Sequence, residues 1–484
     1  MRLKLPLFKI SIFFLVLCCG GITPLRAQFA PRDSANVLQT PFGMTVIGNQ
    51  PYIGFRIQPE IAFKKFGVGL DIPLMFSVQD GSFRSQEFED GAGVLRMIRY
   101  FRYGVKKRDK YYVRVGDLTG SYLGYGGLMN NYTNSPSFER RQVGVTFDVN
   151  PIPEFGIEGT YSSFNNGFNL LALRPYTRPL IKTDIPVIKT LEIGASVVTD
   201  YTRQQIGQNG QLQDTRFVKD GMNSLGADMG VVVIDKPAIR INAFAQFSHM
   251  LRNRSLADSV DRYRAAAALD PTLPITNALA NGYKAASGFS VGTQLRVNVL
   301  ANVLSLEVRL ERLWYQEHFL PQFYDAVYEI NKDAKMWVLA NAAGTAGTYG
   351  ALQANIINKI FLIGGLQVPD NISIQTPAFV FVNLVANDLL PGFIINGSYV
   401  KGRLSTLGDA FTFDERSLAN LRIAYKITKF LMAGVDYRWT FAQVEENGAQ
   451  RFKPVSFVMP YVGLNLPLNF MNRNQNIEVN PKQK

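Results

Sequence analysis

Between Ile53 and Val78 the chain alternates. Ile53, Phe55, Ile57, Pro59, Ile61 and Phe63 are apolar, and Gly54, Arg56, Gln58, Glu60 and Ala62 stand between them. After Lys64-Lys65 the period resumes: Phe66, Val68, Leu70, Ile72, Leu74, Phe76 and Val78 oppose Gly67, Gly69, Asp71, Pro73, Met75 and Ser77. Successive side chains of a strand point to opposite faces. The pattern therefore predicts a long hairpin with one apolar face and one polar face that carries charge. Each arm reaches the roughly 9–11 residues that a tilted strand needs to cross a bilayer, whereas strands of soluble sheets run nearer to about 5–6.

The same unit recurs along the chain. Val94 to Val105 and Tyr111 to Leu118 read as a hairpin around Lys106 to Lys110. Val143, Val145, Phe147 and Val149 alternate with Gly144, Thr146 and Asp148, and Phe155 to Phe164 returns. Ile239, Ile241, Ala243, Ala245 and Phe247 oppose Arg240, Asn242, Gln246 and Ser248. Phe289 to Val299 with Leu304 to Leu310 gives the clearest later hairpin, its polar set including Gln294, Arg296, Glu307, Arg309 and Glu311. Leu421, Ile423 and Tyr425 pair with Leu431, Ala433 and Val435, leaving Arg422, Lys426, Asp436 and Arg438 on the other face. A first strand is expected near Phe42 to Gly48. A last one is expected from about Val455 to Phe470, with a bulge near Tyr461 to Leu464 where the apolar phase changes.

Connection lengths alternate too. Lys64-Lys65, Asn150 to Glu154, Asp235 to Ala238 and Thr428-Lys429 are short; Gln79 to Gly93, Thr119 to Ser137, Tyr201 to Ser224, Leu251 to Ala285, Gln316 to Thr345 and Arg403 to Arg416 are long. No fixed repeat period of a solenoid is present. Over about residues 42–470 the chain resembles the outer-membrane β-barrels of Gram-negative bacteria. The resemblance implies an all-β fold: an antiparallel transmembrane β-barrel of about 20 strands (16 to 20), with short helices in long extracellular loops. It also implies short turns on the periplasmic side and location in the cell outer membrane. Ser255 to Asp258 resembles a helix-start capping box before a helical stretch to Leu269, and Gln322 to Asn331 is expected to be helical.

The termini and the charge fit this frame. Arg2, Lys4 and Lys9 precede the apolar run Ile10 to Leu17, and Leu25-Arg26-Ala27 offers a cleavage site, so residues 1–27 read as a secretory signal peptide. Lipidation of Cys18 or Cys19 would call for a small preceding residue, and Leu17 or Cys18 stands there. Residues 28–41 are expected to be a short periplasmic lead-in, and 471–484 a polar C-terminal tail. The formal net charge of +13 is scattered, with no Lys/Arg block and no zinc or helix-turn-helix pattern, so nucleic acid is not the expected partner. Attraction to anionic lipid headgroups is. Hydrophobic residues make up 47%, which suits a barrel that hides its lipid face in alternation.

Catalytic chemistry finds little support. The two histidines are His249 and His318. His249 and its neighbour Ser248 point to opposite faces of a strand, and no motif surrounds His318. Without a His/Cys cluster beyond the first 27 residues, no metal site or cofactor is expected. Gly124-Tyr125-Gly126-Gly127 is not followed by a Lys-Ser/Thr pair and reads as flexible loop rather than phosphate cradle.

Charge on the lipid face costs about 2–4 kcal/mol per Arg or Lys near the midplane. Arg56, Glu60, Asp71, Arg240, Arg296, Glu307, Arg309, Glu311, Arg422, Asp436 and Arg438 are therefore expected to line the lumen. The expected function is a channel or passive transporter for small polar solutes. The alternatives are a non-conducting barrel anchoring surface loops or an export apparatus, and a membrane-embedded hydrolase. Outer-membrane lipid and small polar solutes are the expected partners; a protein partner is not identifiable. The loop pattern places Leu251 to Ala285 outside the cell, so an epitope inserted at Asn277 is expected to be detected on intact cells; detection only after permeabilisation reverses the orientation.

Overall fold

The computed structural model describes residues 37–467 except 48–49, 90, 136–141, 165–168, 207–211, 216–220, 253–283, 300–302, 331, 358, 415–416 and 447–448. Twenty strands form one antiparallel sheet that closes on itself. The first strand, Val37–Ile47, pairs with Gln50–Phe63 on one side and with the last, Ala449–Pro467, on the other. Closure gives each strand two neighbours, which a hydrocarbon surrounding demands because water is not there to satisfy a free edge. Among the described residues no helix is long and apolar enough to cross a membrane.

Consecutive strands are joined alternately at two ends. At one end the turns are short, as at Lys64-Lys65. At the other, long loops join Ile239–Met250 to Ala286–Val299 and Leu304–Tyr315 to Thr345–Ile356. Three connections depart from this rule: residues 178–191, at the short-turn end, hold a 3-10 turn at Ile188–Thr190, and at the long-loop end only two residues separate Val37–Ile47 from Gln50–Phe63 and Leu431–Glu446 from Ala449–Pro467. A small separate hairpin, Arg203–Ile206 with Leu212–Thr215, stands at the long-loop end.

The alternation is realised along the wall. On Leu304–Tyr315, Glu307, Arg309 and Glu311 are buried while Leu310 and Trp314 are exposed. Phe42, Phe55, Val291, Leu421 and Val435 are exposed on the same outer surface. At the long-loop rim the outer set turns polar: Arg312 pairs with Asp370 of the next loop, Nη1 to Oδ1 at 2.7 Å.

Wall height is uneven. Ile98–Tyr103 and Tyr111–Gly116 have six residues each, and Phe155–Tyr161 and Leu171–Thr177 seven, against fourteen in Met222–Asp235 and Ala286–Val299. The low sector begins where the expected strand from Val94 is replaced by a helix, Gly91–Met97, with strand resuming only at Ile98. Asp71 interrupts the preceding strand at the same level, its amide bonding to Met97 O at 2.7 Å.

Other expectations shift as well. The first strand starts at Val37, five positions before Phe42, inside the expected lead-in. The bulge expected near Tyr461 is absent from the pairing with either neighbour. Instead Val458, Pro460, Val462 and Leu464 face out without interruption, while Met459 and Tyr461 are apolar residues on the inner face. Tyr461 packs there against Ala424 and Met432. The helix expected over Gln322 to Asn331 lies later, at Lys332–Asn341, after a 3-10 turn at Tyr328–Ile330. The stretch after Ser255 and the tail 471–484 fall outside the described residues.

Cysteines placed at Ile57, Leu70, Val297, Leu306 and Val435 are expected to react with a lipid-soluble probe, and cysteines at Arg56 and Glu307 are not. Reversed labelling would contradict the assignment of faces.

Candidate functional site

A barrel of this many strands encloses more space than wall side chains alone can fill. Part of that space is taken by the loop that follows Tyr111–Gly116. Asn134 fastens its two ends, with Oδ1 accepting from Leu118 N at 2.8 Å and Nδ2 donating to Gln142 O at 3.2 Å, and ties it to the neighbouring connection through Ser162 O at 2.8 Å. Backbone bonds between Ser121 and Tyr132, 2.8 Å in each direction, draw the loop into a narrow double strand. Its tip turns at Gly124 and Gly126, both at positive φ (57° and 84°), a conformation glycine adopts without steric cost. Close approach demands glycine as well. A Cβ on Gly124 would lie 2.8 Å from Arg174 Nε and Asp228 Oδ2, and one on Gly127 2.8 Å from Gln246 Oε1.

The tip reaches residues of the short-turn end. Lys106, in the turn before Tyr111, donates to Tyr122 O at 2.5 Å. Tyr125 stacks flat on Phe244, with ring centroids 4.5 Å apart. The loop thus runs down the lumen from one end of the barrel towards the other. The stretch read from sequence as flexible loop is packed in the interior, because its glycines serve contact rather than freedom.

A second loop packs on the first. Gln322 N donates to Gly127 O (2.9 Å), Tyr324 N to Leu128 O (3.1 Å), and Asn130 N to Tyr324 O (3.1 Å). These bonds fix Gln322 and Tyr324 to the first loop, with Tyr324 bridged to Met129, which is why a helix does not form there. Leu123, Leu128, Met129 and Tyr132 of the first loop and Phe319, Phe323, Tyr324, Tyr328 and Leu339 of the second share one apolar cluster with Leu313 and Tyr315 of the wall. Glu329 accepts from Tyr132 OH at 2.5 Å, and Lys332 bridges Glu329 (3.2 Å) and Asp200 (2.9 Å).

Beneath the tip lies a dense ionic network. Arg174 is fully buried and divides its donors among three carboxylates: Nε to Asp228 Oδ2 at 2.8 Å, Nη1 to Glu158 Oε1 at 2.9 Å and Nη2 to Glu192 Oε1 at 3.1 Å. Glu158 also meets Lys106 (2.9 Å) and Lys107 (3.2 Å), and accepts from Gly124 N of the loop tip at 3.0 Å. Asp148 accepts from Tyr176 OH at 2.7 Å, and Arg178 reaches Glu192 at 2.8 Å. Four cations therefore face four carboxylates. In the turn, burial opposes the charge on Lys107, but Glu158, Glu192 and Asp148 outweigh it and raise its pKa above the ordinary lysine range. Lys106 goes the other way, lowered chiefly by its burial despite the pull of Glu158. These residues were not singled out from sequence. Their signal was charge at inward-phase positions, Asp148 and Glu158, on strands already recognised.

The expected lumen residues fall into two groups. Arg296, Glu307, Arg309 and Glu311 are paired on the wall behind the folded loops: Arg296 with Glu307 at 3.0 Å, Arg309 with Glu311 at 2.5 Å. Gln246 and Ser290 complete this group by donating to Glu311. Arg240 stands at the end of its strand, 3.6 Å from Asp235. Glu60 is held by Arg99 (2.6 Å) and Tyr100 OH (2.7 Å). The second group flanks the closure of the barrel. Arg56 pairs with Asp71, Nε to Oδ1 at 3.1 Å, and Arg422 with Asp436 at 2.6 and 2.7 Å beneath the ring of Tyr461. The side chain of Arg438 lies outside the described residues. His249 and Ser248 point apart, but His249 Nδ1 stands 2.8 Å from Ser287 Oγ of the next strand. Among the described residues no carboxylate is bonded to that pair.

A closed antiparallel wall, an apolar outer belt and charge gathered inside define the class. The chain is a closed antiparallel β-barrel with an apolar outer face. No protein-family model matches it, and no curated protein matches its sequence. Solved structures do. It is similar to Wzi of Escherichia coli, an outer-membrane protein involved in group 1 capsule assembly (11% identity, TM-score 0.33, 90% of this chain and 84% of that one). It is similar to OccK11 of Pseudomonas aeruginosa (12%, TM-score 0.31, 90% and 95%). CdiB from Acinetobacter baumannii also matches (8%, TM-score 0.28, 89% of this chain), and the chain spans 60% of CdiB's length.

Removing one partner from a buried ionic network costs on the order of 3–5 kcal/mol, whereas an exposed pair is worth about 0–1. Arg174→Met is therefore expected to lower the thermal unfolding temperature in detergent, followed by circular dichroism, far more than Arg312→Met. Equal losses would show that the network under the loop tip does not hold the fold.

Proposed function

We propose that this barrel is a passive channel for small polar solutes, with flux confined to the sector of the lumen opposite the folded-in loops. The observation that carries this reading is a contrast in water access. The side chains of Arg174 and Glu158 are at 0% exposure, while Arg422 retains 33%, Asp436 18% and Arg56 19%. The network at the loop tip is shut off from water at its centre, with Arg178 and Glu192 at its edge retaining 15%, and the opposite sector keeps Arg422, Asp436 and Arg56 in contact with water. In this reading Arg296, Glu307, Arg309 and Glu311 hold the loops, Arg56, Arg422 and Asp436 act on passing ions, and the buried Asp71 orients Arg56. Facing charges of both signs set a transverse field and favour polar over apolar solutes.

Single-channel recording in planar bilayers tests this. The wild-type protein is expected to conduct, and a variant with residues 121–129 replaced by a short Gly/Ser link is expected to conduct several-fold more. Arg422→Gln is expected to move the reversal potential towards cation preference and Asp436→Asn towards anion preference. Both shifts shrink at 1 M salt, where the screening length falls to about 3 Å. Silence from both the wild type and the shortened loop would replace the channel by a closed barrel that anchors surface loops.

A further inference from the structure

On the outer wall near the long-loop rim one lysine breaks the apolar rule. Lys401 belongs to the strand Phe393–Leu404 and pairs with Val380 and Ser417; Tyr399, on the same face, pairs with Val382 and Ala419. This face carries the exposed Val382, Leu421, Ile423 and Val435, so it faces lipid. Yet Lys401 is completely buried. The loop after its strand folds back over it. Lys401 Nζ donates to Thr412 O and Thr412 Oγ1, both at 2.7 Å, and to Asp414 Oδ2 at 2.9 Å. Tyr399 OH donates to Ala410 O at 2.6 Å.

The folded-back segment is a built unit. A 3-10 turn, Leu407–Phe411, opens on a capping box in which Thr406 and Asp409 satisfy each other's backbone amides. Phe413 lies between Tyr399 and Trp439, with ring centroids 5.6 and 5.3 Å away. The segment's acceptors are thus spent on the wall and Phe413 packs on it, while Phe411 (89% exposed) and Leu407 (49%) are turned outward.

We propose that residues 405–414 form a flap that lies in the interfacial layer of the surrounding bilayer, with Phe411 and Leu407 among the lipid chains. The occupant of its outer face is lipid. That face joins the wall through Phe413, packed on the outward rings of Tyr399 and Trp439, and an unpaired lysine on that wall would be costly in lipid. Aromatic rings at the rim suit a boundary that is apolar on one side and wet on the other. Lys401 is the tether: it spends its charge on the flap's own oxygens, so the pair can enter an apolar layer as a neutral, fully bonded unit. The proposal is independent of conduction.

Both cysteines of the chain, Cys18 and Cys19, lie in the first 27 residues, so single cysteines can be placed freely in a chain expressed from residue 28. The test uses Phe411→Cys and, in the neighbouring loop, Asn371→Cys, each carrying an environment-sensitive fluorophore, in phosphatidylcholine nanodiscs. A nitroxide-bearing phospholipid is expected to quench the label at 411 several-fold more than that at 371, and aqueous iodide several-fold less. Adding Lys401→Met is expected to move the 411 reading towards that of 371; Thr412→Val asks the same question if that protein does not fold. Iodide quenching at 411 equal to that at 371 would overturn the membrane position. A 411 reading unchanged by loss of Lys401 or Thr412 would overturn the tether.

Discussion

Backbone amides and carbonyls find no partner in hydrocarbon, and each one left unpaired there costs several kcal/mol. A sheet can satisfy that condition only by meeting itself, as Val37–Ile47 meets Ala449–Pro467. Closure then fixes much else. With neighbours on both sides, a strand can sort its side chains only inward or outward, so the apolar set covers the lipid face and the charged set is driven inside. Strand number sets the diameter, and a wall of twenty strands surrounds more volume than its own residues occupy.

That surplus volume explains the interior. Two loops from the long-loop end fill one sector, paired backbone to backbone at Leu128 and Tyr324 and sharing one apolar cluster. Their weight rests on an ionic network centred on Arg174, where Glu158, Glu192 and Asp228 each meet a cation and the loop tip contributes its own amide at Gly124. Such a network is sustainable only when complete, since each member removed leaves a desolvated charge behind. The opposite sector keeps Arg422, Asp436 and Arg56 in contact with water. Filling is thus asymmetric, and the proposed path follows from that asymmetry.

The same logic operates on the outside. Charge on the outer wall survives only where something covers it, as residues 412–414 cover Lys401. Arg312 at the rim meets the other condition, pairing with Asp370 while half exposed. Two basic side chains near the same rim thus find two solutions, and the difference lies in access to water.

Period alone determined which faces the strands present. Alternation of Leu306, Val308 and Leu310 with Glu307, Arg309 and Glu311 is a local property, and neighbouring residues on a strand have no other choice of side. The rhythm of short and long connections likewise marked the two ends of the barrel. Tertiary structure alone decided where the long loops go. Gly124 to Gly127 carries no local instruction to enter a lumen; its burial depends on Arg174, Asp228 and Gln246, from strands far along the chain. Tyr461 shows the same limit: an apolar residue on the inner face reads as a break in phase until Arg422 and Met432 are seen beside it. Gln322 to Val327 is not helical because another loop supplies hydrogen bonds at Gln322 and Tyr324, which helical spacing of its aromatics could not reveal. Short-range pattern sets the direction of a side chain, but the partner that makes that direction favourable comes from elsewhere in the fold.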